Sequence, residues 1–209
     1  WVGLAYGFKW VWAPLVDRMP IPVLTRLLGR RRSWLLLAQL VVVAGLVGMA
    51  LADPRLTLGP IVWCALAVAF GSATQDIALD AFRIESADAN HQAALAASYQ
   101  TGYRLAMIWA GAGVLWIAAR SEVAPAVGQL LAQGAAAYQN GAWQAAYLAM
   151  AASMVVGIVT VLFSREPAPV ALPPAKNAAE WIQGALVAPF ADFLRRYGWH
   201  AALILALIA

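Results

Sequence analysis

Long apolar runs separated by short polar, proline-bearing breaks set the rhythm of this 209-residue chain. Crossing a bilayer takes about 20 predominantly apolar residues, and the runs over 34–52, 58–83, 93–119 and 143–163 predict spanning helices. Residues 1–16 read as the latter part of another membrane helix, with Pro14 and Asp17 ending it. Between it and the run at 34 lies a segment with Pro20 and Pro22, read as a loop. After Phe163 the composition shifts. Glu166-Pro167-Ala168-Pro169, Pro173-Pro174 and Lys176 predict an extended linker over 165–177. Over 178–197, Trp181, Ile182, Leu186, Val187, Phe190 and Leu194 recur at helical spacing and Arg195-Arg196 close the run, which predicts an amphipathic helix lying on the membrane surface. Residues 198–209 read as the start of a further span. The expectation is an all-α polytopic membrane protein: a transmembrane bundle (1–164), the linker, the surface helix and the next span. The chain begins and ends inside apolar segments and lacks an initiator Met, so it reads as a piece of a longer protein.

Composition strengthens this class. The chain is 63% hydrophobic and only 11% charged, against about 25% charged in soluble domains. The net charge of +4 then bears on topology. Loops on one side hold Arg18, Arg26, Arg30, Arg31, Arg32, Arg83, Arg165, Lys176, Arg195 and Arg196, and loops on the other hold Arg55 and Arg120. The basic side faces the cytoplasm, which places 17–33, 84–92 and 165–198 there. No aromatic and basic interleaving resembles a single-strand-binding surface, so no nucleic-acid partner is expected. Cys64 is the only cysteine. A disulfide framework and a cysteine metal site are therefore excluded, and no other metal-ligand spacing, nucleophile with its base or phosphate-cradling loop is visible. No cofactor is expected, and no enzymatic activity.

Charges inside the apolar runs are the candidate chemistry. Asp76 and Asp80 are four apart and Arg83 follows three later, so a helix carries all three on one face. Ionisable groups within a span cost several kcal/mol unless paired or facing a wet cavity. The stripe predicts a solute path with Asp76 and Asp80 as proton-coupling carboxylates; alternatively it marks the cytoplasmic end of the helix, a reading that suits Asp76 least because it lies one turn deeper. Asp-x-x-x-Asp also occurs in the magnesium–diphosphate site of membrane prenyltransferases, but the further acidic motifs such a site needs are absent from this portion. Lys9 with Tyr6, and Gln75, Gln100, Tyr103 and Arg104, are the candidate solute-binding residues. Lys9 and Arg104 either pair with the two aspartates or meet anionic groups of a solute, while tyrosine and the amides suit sugars and peptides. The tryptophans fit an interfacial belt or packing, and His91 and His200 fit solvated or interfacial positions.

Ala13-Pro14-Leu15-Val16-Asp17-Arg18 followed by Gly29-Arg30-Arg31-Arg32 resembles the Gly-x-x-x-Asp-Arg-x-Gly-Arg-Arg pattern between the second and third helices of the major facilitator superfamily. Ala13 stands where that pattern has glycine, and residues 19–28 form a longer insert. Such a segment implies a cytoplasmic latch of charge-assisted bonds that hold one gated state, with Asp17, Arg18, Arg30, Arg31 and Arg83 as gating candidates; the bland alternative is that the arginines only set topology. The run Phe8 to Arg18, Gly29 to Trp34, Ser72 to Glu85, Gly102 to Met107 and Leu186 to Phe193 together look like AmpG-type muropeptide permeases within that superfamily. The resemblance covers the chain from a second helix to the start of a seventh. It implies import of N-acetylglucosaminyl-anhydro-N-acetylmuramyl peptides across the bacterial inner membrane, driven by protons, for peptidoglycan recycling and β-lactamase induction. It implies a muropeptide, protons and lipid as partners, and a monomer. A related permease for another anionic solute, such as acetyl-CoA, is the alternative.

Overall fold

The computed structural model describes residues 2–54, 56–121, 140–168, 177, 180 and 183–208. Secondary structure is wholly helical among them. The chain divides into two compact units, Trp1–Ala168 and Pro169–Ala209.

In the first unit the segment expected to be the latter part of a span is two helices, α1 (Val2–Gly7) and α2 (Lys9–Arg18), broken at Phe8. Pro14 does not end this span. It sits inside α2, which continues to Arg18; its missing N–H costs one ladder bond, and Met19 N–H still closes on the Leu15 carbonyl (2.9 Å). The segment read as a loop up to residue 33 also contains structure: a short α3 (Leu24–Leu28) and the first turn of α4 (Arg30–Leu51). Gly29 separates the two at φ 90°, a left-handed value that favours glycine. α5 (Gly59–Glu85) starts with Pro60, whose absent N–H is harmless in a first turn. A 3₁₀ turn (Ala89–His91) leads into α6 (Gln92–Ser121), which includes a π-turn at Trp109–Gly113. α7 (Asn140–Phe163) follows. The expected connection over 120–141 lies largely outside the described residues. α4, α5, α6 and α7 are long and apolar enough to cross a membrane.

α4 is the centre of the packing, with α5 on one side and α7 on another, while α1 and α2 pack on α5. Lipid gives no hydrophobic drive between helices, so close backbone approach matters. Gly45 and Gly71 provide it between α4 and α5. A Cβ on Gly45 would lie 2.6 Å from Val68 Cγ2 and 3.0 Å from the Cys64 carbonyl; one on Gly71 would lie 3.0 Å from Val42 Cγ2. Toward one end Val16, Leu35, Ala78 and Val161 form a buried cluster that joins α2, α4, α5 and α7, with Trp12, Trp34 and Phe82 around it. α6 packs sparingly. It meets α5 near its start, and the Trp109 indole N–H donates to Ser153 Oγ on α7 (2.9 Å). Residues 100–112 on α6 are exposed.

In the second unit a π-turn (Gln183–Val187) runs into α8 (Ala188–Ile208). α8 is kinked at Gly198, whose φ of 74° and ψ of 167° are not helical. Residues 169–176 of the expected linker lie outside the described residues, as do Trp181 and Ile182.

Candidate functional site

Two constellations of polar groups stand out in the first unit. The first is a cleft of about 500 Å³ lined by Lys9, Asp76, Asp80, Arg83, Ala96, Tyr99, Gln100 and Tyr103. Its depth follows from helix geometry. At 1.5 Å per residue, Asp76 and Lys9 each lie about 13 Å along α5 and α2 from the ends at Glu85 and Arg18, and Gln100 lies about 12 Å from the start of α6. All three therefore lie several helical turns from these helix ends. The helical spacing that put Asp76, Asp80 and Arg83 on one stripe aims that stripe at this cleft, and the break at Phe8 makes Lys9 the first residue of α2 opposite it.

The cleft is charged but loosely paired. Arg83 Nη2 stands 3.5 Å from Asp80 Oδ1. Its Nε–H is buried without a hydrogen-bond partner among the described residues, and its guanidinium carbon lies 5.1 Å over the Tyr99 ring centroid. Tyr99 stacks toward Tyr103 with centroids 6.4 Å apart and planes 25° apart. Lys9 and Asp76 both line the cleft, and no ion pair within 4.0 Å engages either among the described residues. The cleft therefore gathers an ammonium, a guanidinium, two carboxylates, an amide and an aromatic pair in one space.

Three other candidates for solute binding do not line the cleft. The Tyr6 hydroxyl donates to Ser72 Oγ (2.5 Å), tying α1 to α5. Gln75 is half-buried on α5. Arg104 projects from the exposed part of α6, one position beyond Tyr103, and makes no ion pair among the described residues.

The second constellation knits the helix ends on the basic side. Arg31, 5% exposed, is its hub. Its Nη1 donates to Asp17 Oδ1 at the end of α2 (2.6 Å). Its Nε and Nη2 donate to the two oxygens of Glu85 at the end of α5 (2.9 and 2.5 Å), the two-pronged geometry that suits guanidinium and carboxylate. Arg30 lies 3.9 Å from Glu85. Glu166, just past α7, accepts the backbone N–H groups of Arg31 (2.7 Å) and Arg32 (3.1 Å). Arg32 in turn donates through Nε to the Val161 carbonyl (2.8 Å) and through Nη2 to that of Leu162. This explains why a helix can begin with Arg30-Arg31-Arg32. Positive charge is disfavoured at a helix N-terminus, and three carboxylates offset it while one of them caps the first turn.

Of the gating candidates, Asp17, Arg30 and Arg31 meet here. Arg83 does not; it belongs to the cleft. Arg18 ends α2 beside Asp17. Glu85, Glu166 and Tyr99 are the residues that sequence reasoning missed as site members. Glu85 closes the 75–85 stretch, and its sign opposite the arginine run was a usable signal. Glu166 is separated from Arg31 by 135 positions, and only its place directly after an apolar run hinted at a cap.

Comparison with known proteins brings twelve matches, among them an anhydromuropeptide permease of Escherichia coli K12, 34% identical over 99% of this chain. A putative transporter AmpG 4 of Rickettsia felis is 31% identical over 98%, and an uncharacterised protein of Haemophilus influenzae is 37% identical over 79%. The chain spans 36%, 45% and 34% of the lengths of these three relatives. No family model matches, and no solved structure matches.

Proposed function

We propose, from the premise that this chain is a homologue of AmpG-type transporters along nearly its whole length, that it forms part of a proton-driven importer of anhydro-muropeptides. The helical, multi-span bundle suits the major facilitator superfamily, and the named relatives are permeases and transporters. The observation that carries the reading is the cleft, which Lys9, Arg83, Asp76 and Asp80 line together with Tyr99, Gln100 and Tyr103. Muropeptides present carboxylates to the two cations, and sugar rings and amides to the tyrosines and Gln100. The membrane is the bacterial inner membrane, with transport from periplasm to cytoplasm for peptidoglycan recycling and β-lactamase induction.

The mechanism is alternating access, two bundles rocking about a midplane site. Asp76 carries no tight partner, so adding a proton there changes the cleft's charge without first breaking a salt bridge. The neutral form removes the attraction to Lys9 and lowers the cost of changing state. The Asp17–Arg31–Glu85 knot holds the cytoplasmic ends of α2, α4 and α5 together in the state closed on that side, and separates when the solute leaves.

Uptake of labelled anhydro-muropeptide by proteoliposomes, with and without an imposed pH gradient, tests the whole reading. Gradient-dependent accumulation is expected. Asp76→Asn should abolish gradient-driven uptake while sparing solute exchange; normal gradient-driven uptake by that variant removes Asp76 from the coupling role.

A further inference from the structure

The second unit carries a surface that the transport reading does not use. In α8, Phe190, Phe193, Leu194 and Tyr197 follow the i, i+3, i+4, i+7 spacing of one helical stripe. Phe190, Leu194 and Tyr197 are 60%, 44% and 66% exposed, so the stripe lacks a cover among the described residues. Asp192, Arg195 and Arg196 occupy the opposite side. Arg196 Nε pairs with Asp192 Oδ2 one turn earlier (2.9 Å), whereas Arg195 has no ion pair among the described residues. Directly after Tyr197 comes Gly198, whose backbone leaves the helical region, and beyond it an apolar run from Trp199, itself 62% exposed.

These features fit one occupant. We propose that residues 188–197 lie flat in the headgroup region of an anionic bilayer, with Arg195 bound to a lipid phosphate and Gly198 turning the chain toward the hydrocarbon. Connectivity argues for this depth. A single residue joins the stripe to an apolar run, so the stripe cannot sit far from the surface that run enters. Tyr197 and Trp199 flank the turn, and their rings combine an apolar body with a polar edge that prefers the headgroup level. The apolar stripe covers one side of the helix only, the pattern of a helix in the interface plane instead of across it. The arginines lie opposite and reach outward on long stems to phosphate. Because Asp192 engages Arg196, Arg195 carries most of the preference for negative lipid, roughly fivefold for one basic residue near such a surface.

Position-resolved quenching in the intact protein tests this. Single cysteines at Phe190, Leu194, Ala191 and Arg195, in a Cys64→Ala background, carry bimane in vesicles of neutral lipid or of neutral lipid with one part phosphatidylglycerol in about four. Labels at 190 and 194 should be quenched by a shallow nitroxide lipid and shielded from aqueous acrylamide; labels at 191 and 195 should show the reverse. In a separate Phe190→Cys protein, Arg195→Gln should remove most of the extra nitroxide quenching that phosphatidylglycerol brings, and Arg196→Gln should remove less. Acrylamide reaching all four positions equally would show a solvated helix and overturn the proposal. Shielding of 190 and 194 from both quenchers would show protein packed on the stripe and overturn it equally. Depth preserved with no response to phosphatidylglycerol or to Arg195→Gln would overturn the lipid-phosphate contact.

Discussion

Arg31 combines burial, three side-chain donors in use and partners on two other helices. Removing the guanidinium strands the mostly buried Glu85 carboxylate while the more exposed Asp17 regains water, so the loss falls below the about 3–5 kcal/mol of a fully buried pair. Arg31→Ala is therefore expected to lower the thermal midpoint of the purified protein strongly. Arg31→Lys should lose a substantial part of that stability although the charge remains, because an ammonium cannot hold both Glu85 oxygens and Asp17 in the geometry of a planar fork. A lysine variant that melts with the parent protein would mean that charge alone, not the fork, matters there. Arg83 shows the opposite condition: a distant carboxylate, an idle Nε–H and an aromatic face. The two arginines read alike as basic residues at helix ends, and only their surroundings separate a fully paired clasp from a loosely paired group.

At the level of elements, the start of α4 depends on Glu166 and Gly29 acting together. A Cβ at Gly29 would collide with the Glu166 side chain, and the φ of 90° disfavours any other residue. Glu166→Ala should cost about 1–2 kcal/mol, as loss of an N-terminal cap does, and Gly29→Ala about as much from backbone strain alone. Since both remove the same cap, their double variant should fall short of the sum, measurable by denaturant titration in detergent micelles. The α4–α5 seam gives a second contrast. At Gly45 an added methyl meets backbone, the Cys64 carbonyl at 3.0 Å, as well as Val68; at Gly48 it meets only the Cys64 side chain, its Sγ at 2.6 Å. Gly45→Ala should destabilise by about 1–3 kcal/mol, as overpacking does, and Gly48→Ala by less, because a thiol can rotate away. Equal losses in melting temperature would contradict this account. None of these contacts could be read from the sequence. The spans could, because in lipid every backbone polar group must be satisfied within the segment, which makes apolar length a strong constraint. The turn of helix at Arg30 to Ser33 was hidden because its cap comes from residue 166. The survival of α2 through Pro14 was hidden because neighbouring packing outweighs one lost hydrogen bond.

At the scale of the first unit, four helix ends gather at one end of the bundle. The ends of α2 and α5 and the starts of α4 and α6 are drawn together by Asp17, Arg31, Glu85 and Gln92, whose side-chain amide donates to the Ile84 and Ala87 carbonyls. A cysteine at Asn90 should react with a membrane-impermeant maleimide only from the cytoplasmic side, and one at Thr57 only from the periplasmic side, in inverted and right-side-out vesicles lacking Cys64. The reverse pattern would put the Arg31 cluster on the periplasmic face. The position of the cleft was partly legible: Asp76 and Asp80 with Arg83 shared a stripe, and Lys9, Gln100 and Tyr103 join them. Tyr6 and Arg104 lie outside it, because spacing along one helix says nothing of the rotation of α1 and α6 about their axes.

The basic end of the bundle also has a consequence for its kinetics. The ends of α2 and α5 converge on one guanidinium at the start of α4 whose side chain is 6% exposed, so moving α5 alone leaves the Glu85 carboxylate and two prongs of Arg31 without a counterpart where little water reaches. Partial excursions are thus penalised more than complete ones, in which solvent floods the whole cluster. Separation of these helix ends is therefore expected to be all-or-none, at a rate set by how often all the ties release together.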